Sequence, residues 1–169
     1  MTSHTELATR SGIALDVRPA TPADAEALRT LFRNMNEEDR RFRFFTAGEH
    51  LSQEQLQPLL EVDRLTSESF LAFDKASGAL VASALLASDR ELDTGEVAVA
   101  IRSDYRNKGV GWALLDFLAQ EAQRRGVRRV IAIESRNNHA AIELEREKGF
   151  TPEDFDGDPT LVILSRTFG

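Results

Sequence analysis

Arg106-Asn107-Lys108-Gly109-Val110-Gly111 is the stretch of this chain richest in chemistry. Its two glycines allow positive φ and bring the main chain close to a ligand, so successive N–H groups can converge on an anion. Arg106 and Lys108 add positive charge to the same loop. A helix beginning there would add the positive end of its dipole. The sequence supplies one: Trp112, Leu115, Leu118, Ala119 and Ala122 recur on a single stripe, and Gly126 terminates the pattern. On the other side of the loop, Val97 to Ile101 is an unbroken apolar run, as in a strand buried on both faces of a sheet. Two other glycine loops are excluded. A P-loop ends in Lys-Ser/Thr, but Trp112 follows Gly111, and Leu114 stands where a dinucleotide loop needs glycine or alanine.

Other candidate sites are weaker. His4, His50 and His139 have no metal-ligand spacing, and the chain lacks cysteine, so disulfides, thiolate metal sites and a Cys nucleophile are excluded and no metal is expected. The absence of cysteine also fits a reducing cytoplasm, the expected location. The run Asp154-Phe155-Asp156-Gly157-Asp158 lacks the distal glutamate of a calcium loop and reads as a solvated turn. A net charge of −7 argues against a nucleic-acid binder while remaining compatible with a basic partner. An anionic ligand would then depend on Arg102, Arg106, Lys108 and the helix N-terminus. Arg124, Arg125, Arg128 and Arg129 read as cations favoured at a helix C-terminus. No apolar run approaches the roughly 20 residues of a membrane span.

These residues need a scaffold, and 169 residues suit one domain. Residues 1–11 lack the apolar core of a signal peptide and read as a mobile tail, leaving 12–169 as the domain. Ile13 to Arg18 reads as an edge strand ended by Pro19. Thr21-Pro22-Ala23-Asp24 has the cap, proline and acid of a helix start, and the helix runs to about Asn34 with Ala25, Leu28, Leu31 and Phe32 buried. Beyond it, Phe42, Phe44 and Phe45 read as core anchors or as the wall of a cleft, and Ser52 with Gln55 as the capping box of a short helix bent by Pro58. Ser69–Asp74 and Ala79–Ala87 form strands around the turn Ala76-Ser77-Gly78. Val127 to Glu134 is a further strand, Asn138 caps a helix containing Ala141, Ile142 and Leu144, and Thr160 to Ser165 is the last strand. One mixed α/β domain follows.

Arg106-x-x-Gly109-x-Gly111 resembles the Gln/Arg-x-x-Gly-x-Gly/Ala signature of the GNAT acetyltransferase superfamily. Asn138-x-x-Ala141-x-x-Leu144 with Gly149-Phe150 is similar to its second signature. The resemblance implies a single GNAT-type domain with a central, mixed, mostly antiparallel twisted sheet flanked by helices. It also implies acetyl-CoA as co-substrate, its pyrophosphate clamped by Arg106, Asn107, Lys108, Gly109, Val110, Gly111 and Trp112, with Asn138 also at the cofactor.

In the N-terminal half, Arg18-Pro19, Leu31-Phe32, Arg41-Phe42-Arg43-Phe44-Phe45 and Leu51-Ser52-x-Glu54-x-Leu56 look like the GNAT domain of bacterial protein lysine acetyltransferases that modify acyl-CoA synthetases. That likeness implies a protein lysine acceptor, such as one on an acyl-CoA synthetase. The alternatives are a small-molecule amine acetyltransferase and a non-catalytic acyl-CoA-binding module. Glu96 stands ten residues before the clamp, where that branch has a glutamate general base; taken by itself it reads as a hydrated acid at a strand end. An attacking lysine is almost wholly protonated at neutral pH and must lose that proton. Backbone N–H groups around Val99 to Ile101 would bind the thioester oxygen. Many relatives carry a tyrosine general acid after the second-signature leucine, where this chain has Glu145.

Overall fold

The computed structural model describes residues 4–35, 67–88, 91–106, 108–136, 139–154 and 159–168. Phe42, Phe44, Phe45 and the short helix expected around Ser52 lie outside the described residues, as do Asn107 and Asn138. Eight strands form one sheet among the described residues: β1 (Thr5–Ala8), β2 (Ala14–Pro19), β3 (Ser67–Asp74), β4 (Leu80–Ser88), β5 (Thr94–Ile101), β6 (Arg129–Ser135), β7 (Thr151–Asp154) and β8 (Leu161–Thr167). Their spatial order is β1-β2-β3-β4-β5-β6-β8-β7. Only β5 and β6 pair in parallel. That pair is joined by the long helix α2 (Val110–Arg124), because a parallel connection needs a crossover. Helices α1 (Ala25–Arg33) and α3 (His139–Glu147) complete the described set. None of these helices is long and apolar enough to cross a membrane.

Side chains alternate across each strand, so the sheet has two different faces. On one, Leu15, Val17, Phe70, Ala72, Ala84, Leu86 and Val97 pack with Val110, Leu114, Leu118 and Ala122 of α2. Leu114 and Leu118 are fully buried, and each such leucine contributes about 1.5–3 kcal/mol. Phe70 meets Phe117 edge to face at 4.9 Å between ring centres. On the other, Leu28, Leu31 and Phe32 of α1 cover Ala20 and Leu71. The start of α1 is as the sequence implies: Thr21 and Asp24 form a reciprocal capping box through a 3₁₀ turn at Pro22–Asp24.

Two expectations change. Thr5–Ala8, read as part of a mobile tail, is a strand paired with β2 from Thr5↔Val17 to Ala8↔Ala14. β2 is therefore an inner strand and not the edge. The signal in TELA is weak because only Leu7 packs against the core, and the strand is held by main-chain pairing with the ion pair Lys75–Glu6 and a hydrogen bond between His4 and Asp16 at its rim. β7 is likewise unforeseen. Pro152 suppresses its strand character in sequence, yet an edge position tolerates a missing donor.

Candidate active site

The strand that leads to the glycine loop determines what the site can be. Arg102 N donates to Val81 O at 2.9 Å, and Arg129 N donates to Asp93 O at 3.0 Å. With a period of two, the main chain of even-numbered residues in β5 faces β4, and that of odd-numbered residues faces β6. β4 pairs with β5 as far as Ile101, but β6 pairs with β5 only at Thr94↔Arg129, Gly95↔Val130 and Glu96↔Ile131. Past Glu96, β6 continues with β8 alone. Among the described residues, the main chain of Val99 and Ile101 thus lies on the side of β5 that β6 no longer pairs, and Glu96 stands where the two strands part.

Glu96 is half-buried, and among the described residues no hydrogen bond or ion pair occupies its carboxylate. It projects from the face opposite α2, in one row with half-buried Ala98 and buried Ala100. Val97, Val99 and Ile101 point the other way, into the core under α2.

After β5 the chain makes a 3₁₀ turn at Ser103–Tyr105 and enters α2 through Gly109. Gly109 has φ 82°, the left-handed region that glycine occupies without steric cost. No side chain caps α2 among the described residues, and its first intrahelical bond is Ala113 N to Gly109 O at 3.1 Å. The N–H groups of the opening turn, Val110 to Trp112, therefore have no intrahelical acceptor. Arg106 is half-buried beside them, and Lys108 is exposed with its ammonium 5.6 Å from the centre of the Tyr105 ring. An uncapped N-terminus with neighbouring cations fits a phosphate ligand.

The glycines have a further reason to be glycine. A Cβ on Gly109 would lie 3.2 Å from Arg10 N and 3.3 Å from Thr9 Cβ, and one on Gly111 would lie 3.1 Å from Ile101 Cδ1 and 3.2 Å from Leu144 Cδ2. Both Cβ positions point into protein. Trp112 is stacked by two cations, Lys148 at 3.2 Å and Arg10 at 4.9 Å from its ring centre.

Sequence reasoning missed Tyr105, the chain's single tyrosine. Its hydroxyl donates to Asp74 Oδ2 at 2.6 Å, tying the loop entry to the β3–β4 turn. That bond raises the tyrosine's pKa, helped by burial, and lowers that of Asp74. The phenol is thus engaged with a carboxylate. Glu145, at the position where many GNAT enzymes have tyrosine, is buried in α3 at 6% exposure. The arginines around Gly126 are occupied by carboxylates: Arg124 with Glu121, Arg125 with Glu68 and Glu121, Arg128 with Asp93, and Arg129 with Glu153. Among the described residues no group of three His, Asp or Glu side chains could hold a metal ion.

A helix N-terminus that no side chain caps among the described residues, entered from a strand that parts from its parallel neighbour, is the frame of the site. Residues 29–150 match the Acetyltransferase (GNAT) family, and the chain belongs to that family. It is 30% identical over 149 residues to an acetyltransferase of Pseudomonas aeruginosa, covering 87% of this chain and 80% of that protein. The fold is that of the GNAT domain of S. lividans PAT, with a TM-score of 0.88, 24% identity and coverage of 98% and 97% of the two chains. Salmonella typhimurium yncA, solved with its cofactor acetyl-CoA, is similar with a TM-score of 0.71 at 20% identity, over 90% of this chain and 93% of that one.

Proposed function

We propose that this enzyme transfers the acetyl group of acetyl-CoA to the side-chain amine of a protein lysine, with Glu96 as general base. The observation that carries the reading is the end of β5–β6 pairing at Glu96↔Ile131. It puts a half-buried carboxylate where the two strands part, on the strand that leads to the start of α2, which no side chain caps among the described residues. Acetyl-CoA, when bound, supplies an activated thioester. The N–H groups of Val110 to Trp112, with Arg106 and Lys108, hold its pyrophosphate. The main chain around Ile101, past the end of the β5–β6 ladder, would offer an N–H to the thioester oxygen, stabilising its developing negative charge. Glu96 accepts a proton from the lysine ammonium, and the neutral amine so formed attacks the thioester carbon as the thiolate departs.

A thiolate of coenzyme A's kind has a pKa near the 8.5 or so of cysteine and can depart without an acid, so Glu145 in place of tyrosine is compatible with activity. The lysine acceptor is supported by the N-terminal likeness to protein lysine acetyltransferases and by similarity along nearly the whole chain to the GNAT domain of S. lividans PAT.

Acetyl-CoA-dependent labelling of lysine peptides beside a panel of free amines tests the acceptor class. Transfer to the amines with none to peptides overturns it. For the base, Glu96→Gln should leave acetyl-CoA affinity nearly unchanged while kcat falls about 10²- to 10⁴-fold, with partial recovery at high pH where more lysine is neutral. Wild-type kcat in Glu96→Gln, with chemistry limiting, removes Glu96 from the mechanism.

A further inference from the structure

The turn between β1 and β2 lies about 100 residues before the cofactor loop in sequence and directly against it in space. Ser11 Oγ donates to the carbonyl oxygen of Lys108 at 2.6 Å. Thr9, only 7% exposed, holds Ser11 in place: its Oγ1 lies 3.0 Å from Ser11 Oγ and accepts from Ile13 N at 3.0 Å. The turn is itself closed by Thr9 N to Ile13 O at 2.9 Å and Gly12 N to Thr9 O at 3.1 Å. Arg10 stacks on Trp112 and reaches Glu147 at 3.6 Å, bridging the first turn of α2 to α3. Behind Gly109, the main chain of Arg10 occupies the space a Cβ would need.

The bond to Lys108 O has a geometric consequence. A trans peptide is planar, so its N–H points opposite to its C=O. With the Lys108 carbonyl turned to Ser11, the N–H of Gly109 is aimed away from the β1–β2 turn, and the carbonyl is kept from facing an anion at the loop. A flip of this peptide would exchange an N–H donor for a carbonyl dipole that repels phosphate.

We infer that Ser11 is a positioning residue for the acetyl-CoA loop, fixing the Lys108–Gly109 peptide so that its N–H joins those of the first turn of α2 at the pyrophosphate. The inference rests on the assignment of that loop as the pyrophosphate clamp. β1 and its turn thereby become part of the cofactor machinery, although no residue of the turn need touch the cofactor.

The chain's single tryptophan, Trp112, sits in the first turn of α2, so its fluorescence reports ligands at the loop. Titrations with acetyl-CoA and with S-acetyl-pantetheine, which has the thioester arm but no pyrophosphate, separate the two ends of the site. Ser11→Ala should weaken acetyl-CoA binding about three- to tenfold, the value of one hydrogen bond, leave S-acetyl-pantetheine binding unchanged, and lower the melting temperature by no more than about 2–6 °C. Ser11→Thr, which keeps the hydroxyl, should restore the affinity. Wild-type acetyl-CoA affinity in Ser11→Ala, or an equal loss for both ligands, overturns the inference alone. A wild-type protein that binds the two thioesters equally well overturns the clamp assignment and the inference with it.

Discussion

Gly109 and Gly111 look alike in the motif, but the structure predicts unequal responses to a single added methyl. At Gly109, alanine must hold φ 82°, which costs about 1–2 kcal/mol for an L-residue. Its Cβ would also stand 3.2 Å from the main-chain nitrogen of Arg10, which is fixed by the β1–β2 turn and cannot swing away. The total is about 2–3 kcal/mol, and for a domain of this size each kcal/mol lowers Tm by about 2–4 °C. Gly109→Ala should therefore melt about 5–10 °C below wild type.

At Gly111 the balance differs. Alanine in a helix is favoured over glycine by about 1 kcal/mol, and the atoms it would meet at 3.1 and 3.2 Å are the methyl ends of Ile101 and Leu144, which can move by a few tenths of an ångström. Overpacking of about 1–3 kcal/mol less that gain leaves a net cost of about 0–2 kcal/mol. Thermal melts of both variants, with acetyl-CoA titrations on the folded proteins, test the ranking. Gly109→Ala melting with wild type, or Gly111→Ala falling further than Gly109→Ala, refutes the assignment of strain to one glycine and of close packing to the other.

Asp24 accepts two bonds from Arg18, at 2.7 and 2.9 Å, and two from Thr21, and Arg18 above all holds its carboxyl below the usual range. A depressed folded pKa gives stability that is complete above the unfolded value of about 3.9 and is lost as pH falls through the folded value. Asp24→Asn should thus unfold more easily than wild type at neutral pH, by about 2 kcal/mol, with the gap narrowing as pH falls below about 4; a gap in denaturant midpoints that stays constant as pH falls from about 5 to about 2 refutes this. Arg125 faces buried Glu68 at 3.6 Å, and Glu68 Oε1 also accepts from Ser69 N, so Arg125→Ala takes the cation from a buried carboxylate that keeps other bonds and should cost more than Arg124→Ala, at a more exposed pair, which should cost under about 0.5 kcal/mol. Urea unfolding of the two variants decides it, and equal losses would show that burial of Glu68 is not the cause.

Much of this enzyme is legible one residue at a time. The capping box at Thr21 and Asp24, the turn at Gly78, the apolar stripe of α2 and its terminating glycine are local, because cap geometry, positive φ and helical period involve neighbours within a few positions. The order of strands and helices around the loop follows from the same signals, and the Arg106-x-x-Gly109-x-Gly111 spacing marks the place where a helix begins without a cap. Other properties depend on partners far away in the chain. TELA carries too little periodicity to announce a strand; it becomes one because β2 offers an unpaired edge. The arginines around Gly126 are spoken for by Glu68, Asp93 and Glu153, which no local pattern connects to them. Tyr105 finds Asp74 across 31 positions, and Ser11 finds Lys108 across 97. Above all, β5 reads in sequence as a uniform apolar strand. Only the arrangement of its neighbours shows that pairing with β6 ends at Glu96, because where two strands part is a property of the sheet and of the helices packed on it, not of either strand alone.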